Sequence, residues 1–143
     1  MGKITGYSYL PRPYEDPETN ILGEIYQPMI AIRISKDHGQ LSLQFDALID
    51  SGADRNLLPL RFATGAGIQF KKTKPRKIYG IGSGYIDAYT AKVNLWVGTK
   101  KYETMADFSP QQNVPILGRD GFFNLFKSIK FDESGKFVYL EEI

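Results

Sequence analysis

From residue 30 the chain alternates. Ile30, Ile32 and Ile34 are separated by Ala31, Arg33 and Ser35, the period of a half-buried strand. After the polar turn Lys36-Asp37-His38-Gly39-Gln40, Leu41, Leu43 and Phe45 alternate with Ser42, Gln44 and Asp46. The two segments read as a hairpin with these apolar residues on its inner face. Ala47-Leu48-Ile49 and Leu57-Leu58 are short apolar runs on either side of the turn Asp50-Ser51-Gly52-Ala53-Asp54. Such runs, bounded by turn residues, predict strands buried on both faces. Residues 57–62 then lead into Ala63-Thr64-Gly65-Ala66-Gly67, read as a glycine-broken connection. Ile78-Tyr79 enters the turn Gly80-Ile81-Gly82-Ser83-Gly84. Tyr85 onward leaves it as a long strand with Tyr89, Ala91, Val93, Leu95 and Val97 on one face. Past Gly98-Thr99 another strand runs over residues 101–108. Residues 120–127, with Phe122, Phe123, Leu125 and Phe126, are predicted to form the one substantial helix, near the C-terminus. Residues 129–132 and 137–140 flank Glu133-Ser134-Gly135-Lys136 as a closing hairpin. Many short strands with turns between them predict an all-β, barrel-like domain.

Residues 1–24 show no such period. They are rich in Gly, Pro, Tyr and acids, and read as an N-terminal arm that packs on the domain or on a partner subunit, or as a removable leader. The domain proper is expected over residues 25–143. With 143 residues, 42% hydrophobic and 24% charged, the chain fits one soluble domain with a sizeable core. A net charge of +2 is too small to point to nucleic acid. The absence of cysteine excludes disulfides, thiol catalysis and cysteine-ligated zinc, and a single histidine excludes a His-rich metal site. No metal or cofactor is expected. His38 lies in a polar turn and reads as a solvated residue. No apolar run approaches the ~20 residues that span a bilayer. The N-terminus lacks a signal-peptide layout, so a cytoplasmic protein without membrane contact is expected. Lys71, Lys72, Lys74, Arg76 and Lys77 form a basic run around Pro75. It reads as a solvated strand approach or as an attraction for acidic substrate flanks. Without interleaved aromatics it does not suggest nucleic-acid binding.

The chemistry concentrates on Asp50. An apolar strand that ends on an ionisable group is costly unless the group is used, because an unpaired buried charge is expensive. Leu48-Ile49-Asp50-Ser51-Gly52-Ala53-Asp54 resembles the active-site motif of the retropepsin-like (retroviral-type) aspartic proteases. Two further segments follow in that family's order. Tyr79-Gly80-Ile81-Gly82-Ser83-Gly84-Tyr85-Ile86 resembles its glycine-rich flap. Val114-Pro115-Ile116-Leu117-Gly118-Arg119-Asp120 resembles the hydrophobic-Gly-Arg-Asp/Asn segment before its C-terminal helix. A dinucleotide loop is disfavoured at residues 80–84, because the segment exits into a strand where that fingerprint needs a helix.

The resemblance implies a single-lobe, closed acid-protease barrel with one short C-terminal helix, active as a homodimer. The Asp-Ser-Gly signature occurs once, whereas peptide hydrolysis by such enzymes needs two carboxylates sharing a proton. A second copy would therefore supply the other Asp50 at a two-fold axis. By matching positions, Asp50 is the catalytic residue and Ser51 braces the dimer. Gly52 allows close approach and offers its N–H to the carboxylate. Asp54 and Arg119 form a supporting pair within the group Ser51, Gly52, Ala53, Asp54, Gly118, Arg119 and Asp120. Tyr79, Gly80, Ile81, Gly82, Ser83 and Gly84 cover an extended peptide or protein substrate. Ala53 stands where pepsin-like enzymes often have serine. One hydroxyl that would favour the ionised form is missing, and a mildly acidic optimum is expected. Two alternatives stand beside an aspartic endopeptidase: a non-catalytic dimerisation or peptide-binding module, and a protease limited to self-processing.

Overall fold

The computed structural model describes residues 2–37, 39–70, 74–80, 82 and 84–143. The solvated-turn reading of His38, the Lys71 and Lys72 part of the basic run, and Ile81 and Ser83 of the predicted flap lie outside the described residues. Among the described residues no helix is long and apolar enough to cross a membrane.

Six strands close a barrel. They are β4 (Met29–Ser35), β5 (Phe45–Ile49), β6 (Leu57–Pro59), β8 (Tyr85–Val97), β9 (Lys100–Ser109) and β10 (Ile116–Leu117). The order is β4-β5-β10-β6-β9-β8, and antiparallel pairing of β4 with β8 (Arg33 opposite Trp96) completes the circuit. β7 (Arg76–Tyr79) extends β8 outward as a hairpin, with Tyr79 opposite Tyr85. The predicted alternation is kept in the barrel. Ile30, Ile32 and Ile34 face inward with Ala47, Ile49, Leu58, Val93, Leu95, Phe108 and Leu117, all buried. Each strand turns alternate side chains to one face, so closing the sheet collects these into one core.

At residues 41–43 the phase is opposite to the one expected. Leu41 and Leu43 are exposed, Leu43 to 87%, and Ser42 is buried. The N–H of Ile34 donates to Ser42 Oγ at 2.9 Å, and the N–H of Ser42 donates to the Ile34 carbonyl at 2.8 Å. A short polar side chain that satisfies the neighbouring backbone takes the inward place, which a leucine cannot do.

The helix also sits elsewhere than expected. Residues 120–127 form only a 3₁₀ turn, Phe123–Leu125, and the α-helix α1 spans Leu60–Gly65. Gly121 has φ 122°, outside the helical range, and breaks any helix at its start. The N–H groups of Leu125 and Phe126 reach back three residues, to Phe122 and Phe123, which carries Phe122 and Phe126 into the core. The glycines that suggested a broken connection instead end α1. Gly67 has φ 74°, its N–H donates to the Thr64 carbonyl, and the N–H of Ile68 donates to the Ala63 carbonyl. This is the pairing of a Schellman cap, which wants glycine at that place. Phe62 of α1 stacks on Phe45, ring centres 4.0 Å apart.

The N-terminal residues are strands despite their lack of period. β1 (Ile4–Ser8) pairs with β12 (Phe137–Glu141), which pairs in turn with β11 (Ser128–Asp132). β2 (Leu10–Glu15) and β3 (Leu22–Gln27) form a separate ribbon. Tyr9 anchors this region. Its N–H donates to the Lys136 carbonyl, and its Oη donates to Glu133 Oε1 at 2.8 Å. Burial first, then that hydrogen bond and the nearby carboxylates, push the phenol up from 10.0 to about 12. The native state thus holds this proton more tightly than the unfolded chain does. The contribution is complete below pH 10.0 and is lost as pH rises towards about 12. Urea midpoints should fall across that window, and Tyr9→Phe should flatten the fall. An identical slope in both proteins would refute the assignment.

Candidate active site

β5 brings Asp50 to the barrel end. β5 runs between β4 and the parallel β10, with Leu48 and Ile49 beside Ile116 and Leu117. The N–H of Asp50 donates to the Leu117 carbonyl at 3.0 Å, the last ladder bond before the chain turns. The turn then folds onto the carboxylate. The N–H of Gly52 donates to Asp50 Oδ1 at 2.9 Å, and the N–H of Ala53 donates to the Asp50 carbonyl at 3.1 Å. A Cβ at position 52 would stand 3.3 Å from that same Oδ1, which is why glycine suits the turn. Asp50 Oδ2 meets no donor among the described residues. Ser51, Gly52 and Asp54 are exposed, so the carboxylate opens towards a free face of the chain.

The Gly118 segment zips onto this loop through the backbone. The N–H of Arg119 donates to the Ala53 carbonyl (2.9 Å) and that of Asp120 to the Asp54 carbonyl (2.8 Å). The N–H of Gly118 donates to Oδ1 of the buried Asn56 at 3.0 Å. Asn56 in turn donates from Nδ2 to the Met105 carbonyl, fastening both loops to β9. The two segments are so close that a Cβ on Gly118 would fall on the backbone of Arg55, 2.6 Å from its carbonyl carbon and 2.7 Å from its nitrogen. Gly118→Ala should therefore cost about 2–3 kcal/mol by overpacking. Its urea midpoint should drop with the m-value kept, and an unchanged midpoint would contradict the close approach.

The expected pair between Asp54 and Arg119 is not what the single chain forms. The Arg119 guanidinium donates to the Ser51 carbonyl at 3.4 Å, and Asp54 takes part through its own carbonyl. Both residues are exposed, where an ion pair gains little over hydration. The ion pairs near this loop are instead Arg55–Asp107 and Arg76–Asp107. The sequence reading missed Asp107. Its signal was the one used for Asp50, a carboxylate inside an apolar run (Ala106-Asp107-Phe108).

On either side of the residues read as a flap, β7 and β8 pair as a hairpin. Gly80, Gly82 and Gly84 lie at its tip, and among the described residues a Cβ at any of them would meet nothing within 4 Å. Gly82 has φ 112°, a conformation suited to glycine. Tyr79 and Tyr85 flank the tip with ring centres 5.8 Å apart, and Lys77 Nζ lies 4.5 Å from the Tyr85 ring centre. Among the described residues β7 is hydrogen-bonded to β8 alone, at the edge of the sheet.

Comparison with known proteins gives a consistent picture. The family model described as retroviral aspartyl protease matches residues 24–129. Among solved structures, a retropepsin-like aspartic protease from Rickettsia conorii is similar at 14% identity and TM-score 0.62. That match covers 99% of this chain and 94% of the other. EIAV protease complexed with the inhibitor HBY-793 is similar at 22% identity and TM-score 0.52, covering 65% of this chain and 82% of the other. These identities support the fold alone. None of the curated proteins compared matches the chain.

Proposed function

Because the chain belongs to the retroviral aspartyl protease family, we propose that it is an aspartic endopeptidase whose working unit is a homodimer. The observation that carries this reading is the Asp50 turn. A carboxylate at the end of a buried strand has one oxygen held by Gly52 N–H and the other without a donor among the described residues. One chain supplies one such group, so two copies would meet across a two-fold axis with an Asp50 each. Two carboxylates this close cannot both ionise cheaply. One keeps a proton, and the pair divides into base and acid. The ionised member takes a proton from water as that water attacks the scissile carbonyl. The protonated member donates to the carbonyl oxygen, giving a tetrahedral diol. Collapse of the diol breaks the C–N bond as the amine leaves with a proton. Substrate lies extended beneath residues 79–84, pairing with hairpin backbone as an added strand.

The test is cleavage of a mixed peptide library at several chain concentrations, with mass followed by sedimentation in the same buffers. Activity per chain should fall on dilution in step with loss of the dimer. Cleavage by a strictly monomeric species would overturn the shared site. A dimer without cleavage at any pH would favour the non-catalytic module, and removal of only the N-terminal residues would favour self-processing.

A further inference from the structure

Asp107 lies in β9 with its side chain 1% exposed, yet it accepts from three elements. Its Oδ2 takes Arg55 Nε (3.0 Å) and Arg76 Nη2 (2.9 Å), and its Oδ1 takes Arg55 Nη2 (3.2 Å) and Thr90 Oγ1 (2.6 Å). Arg55 follows the Asp50 turn, Arg76 is the first residue of β7, and Thr90 lies on β8 directly opposite Asp107. The N–H of Asp107 also donates to the carbonyl of Asn56, whose side chain holds Gly118. An unbroken set of hydrogen bonds therefore runs from the base of the β7–β8 hairpin to the loops around Asp50.

We propose that Asp107, through Arg76, is a positioning residue that fixes the base of the β7–β8 hairpin relative to the Asp50 loop. The proposal rests on the endopeptidase reading for its effect on substrate. The bidentate Arg55 and the Thr90 hydroxyl already supply three donors to a carboxylate that needs one countercharge. The second guanidinium is therefore not required to keep Asp107 buried. Arg76 is half exposed, at 50%, and can be removed without opening the core. What it adds is a tie for β7, an edge strand that among the described residues pairs with β8 alone. A lid whose base is fixed holds substrate in register, and a loosened one binds it less well before any bond is broken.

The experiment compares wild type with Arg76→Ala, Arg76→Lys and Lys74→Ala. Lys74→Ala removes the same charge from the same basic stretch without touching Asp107. Arg76→Ala should raise KM about tenfold, the size of one charge-assisted hydrogen bond, with kcat within about twofold and Tm within about 3 °C. Arg76→Lys should recover part of the loss, and Lys74→Ala should leave KM near wild type. Amide exchange of residues 76–79 and 85–88 should quicken in Arg76→Ala while β4 and β5 stay protected. Equal KM effects in Arg76→Ala and Lys74→Ala would assign the basic stretch to long-range attraction and overturn the tie. Unchanged exchange at residues 76–79 would overturn it too, as would a KM change accompanied by a large fall in Tm. An inactive wild type would sink the endopeptidase reading alone, because the exchange measurement tests the tie without substrate.

Discussion

Asp50→Asn should abolish peptide hydrolysis while leaving a folded dimer. Asparagine keeps the shape of the side chain and an oxygen to accept from Gly52 N–H, so the turn survives. It can neither take a proton from water nor share one with its symmetry mate. General base and general acid are each worth about 10²–10⁴-fold, and losing both together should lower kcat/KM by about 10⁴-fold or more. In the proposed dimer stability should stay equal or rise, since the wild-type pair bears the cost of holding two carboxyl groups close with one proton between them. Mixing gives a sharper form of the test. If chains re-assort freely, an equal mixture of wild type and Asp50→Asn should retain about a quarter of the activity of pure wild type at the same total concentration, because only pairs of wild-type chains carry both groups. Retention of half would mean that each chain acts alone, and the shared site would be wrong. Residual activity in pure Asp50→Asn above the library background would remove Asp50 from the chemistry altogether.

The barrel was legible because its strands obey a two-residue period with little interference. The run at Ile30–Ile34 buries the residues the pattern selects, and the one at Tyr89–Val97 buries Val93, Leu95 and Val97 while Tyr89 and Ala91 are only half-buried. Legibility failed where a local interaction outweighed the period. Ser42 reverses the phase of its segment by satisfying Ile34, and Leu41 and Leu43 turn outward. The glycines after α1 carried the information for a helix end, yet a helix of six residues is too short to show its own period. The first strand was invisible for another reason: β1 is stabilised by pairing with β12, more than a hundred residues away, and no local pattern records such a partner. Of the candidate site, the Asp50 turn was readable as a short motif, and the resemblance implied that the Gly118 segment meets it, though through the Asp54 and Arg119 side chains rather than the backbone bonds that the fold uses. The side-chain partners were not readable. Arg119 and Arg55 are both arginines near an aspartate in sequence, and only the fold shows that Arg55 reaches the buried carboxylate of Asp107.

Asp107→Ala should be the most destabilising single change in this region, at about 3 kcal/mol, the low end for breaking a buried ion pair. The low end applies because the arginines left behind are not sealed. Arg55 is 33% exposed and Arg76 50%, so both can turn to water once the carboxylate is gone. What cannot be recovered is the space beneath them and the acceptor for Thr90 Oγ1. For a chain of this length the loss corresponds to a fall in Tm of about 10 °C. Arg55→Ala leaves Asp107 buried with only Arg76 and Thr90, and should cost a similar amount. The double variant should cost clearly less than the sum, because the second removal then takes away a group that has already lost its partner. Replacing both by apolar residues of similar size, as in Arg55→Met with Asp107→Leu, should recover most of the stability, since well-packed apolar groups can equal a buried ion pair. It should not recover the low KM, because Arg76 would have nothing to hold. A double variant with both stability and KM restored would show that the carboxylate only fills space. Strictly additive losses in the alanine series would show that Arg55 and Asp107 act independently of each other.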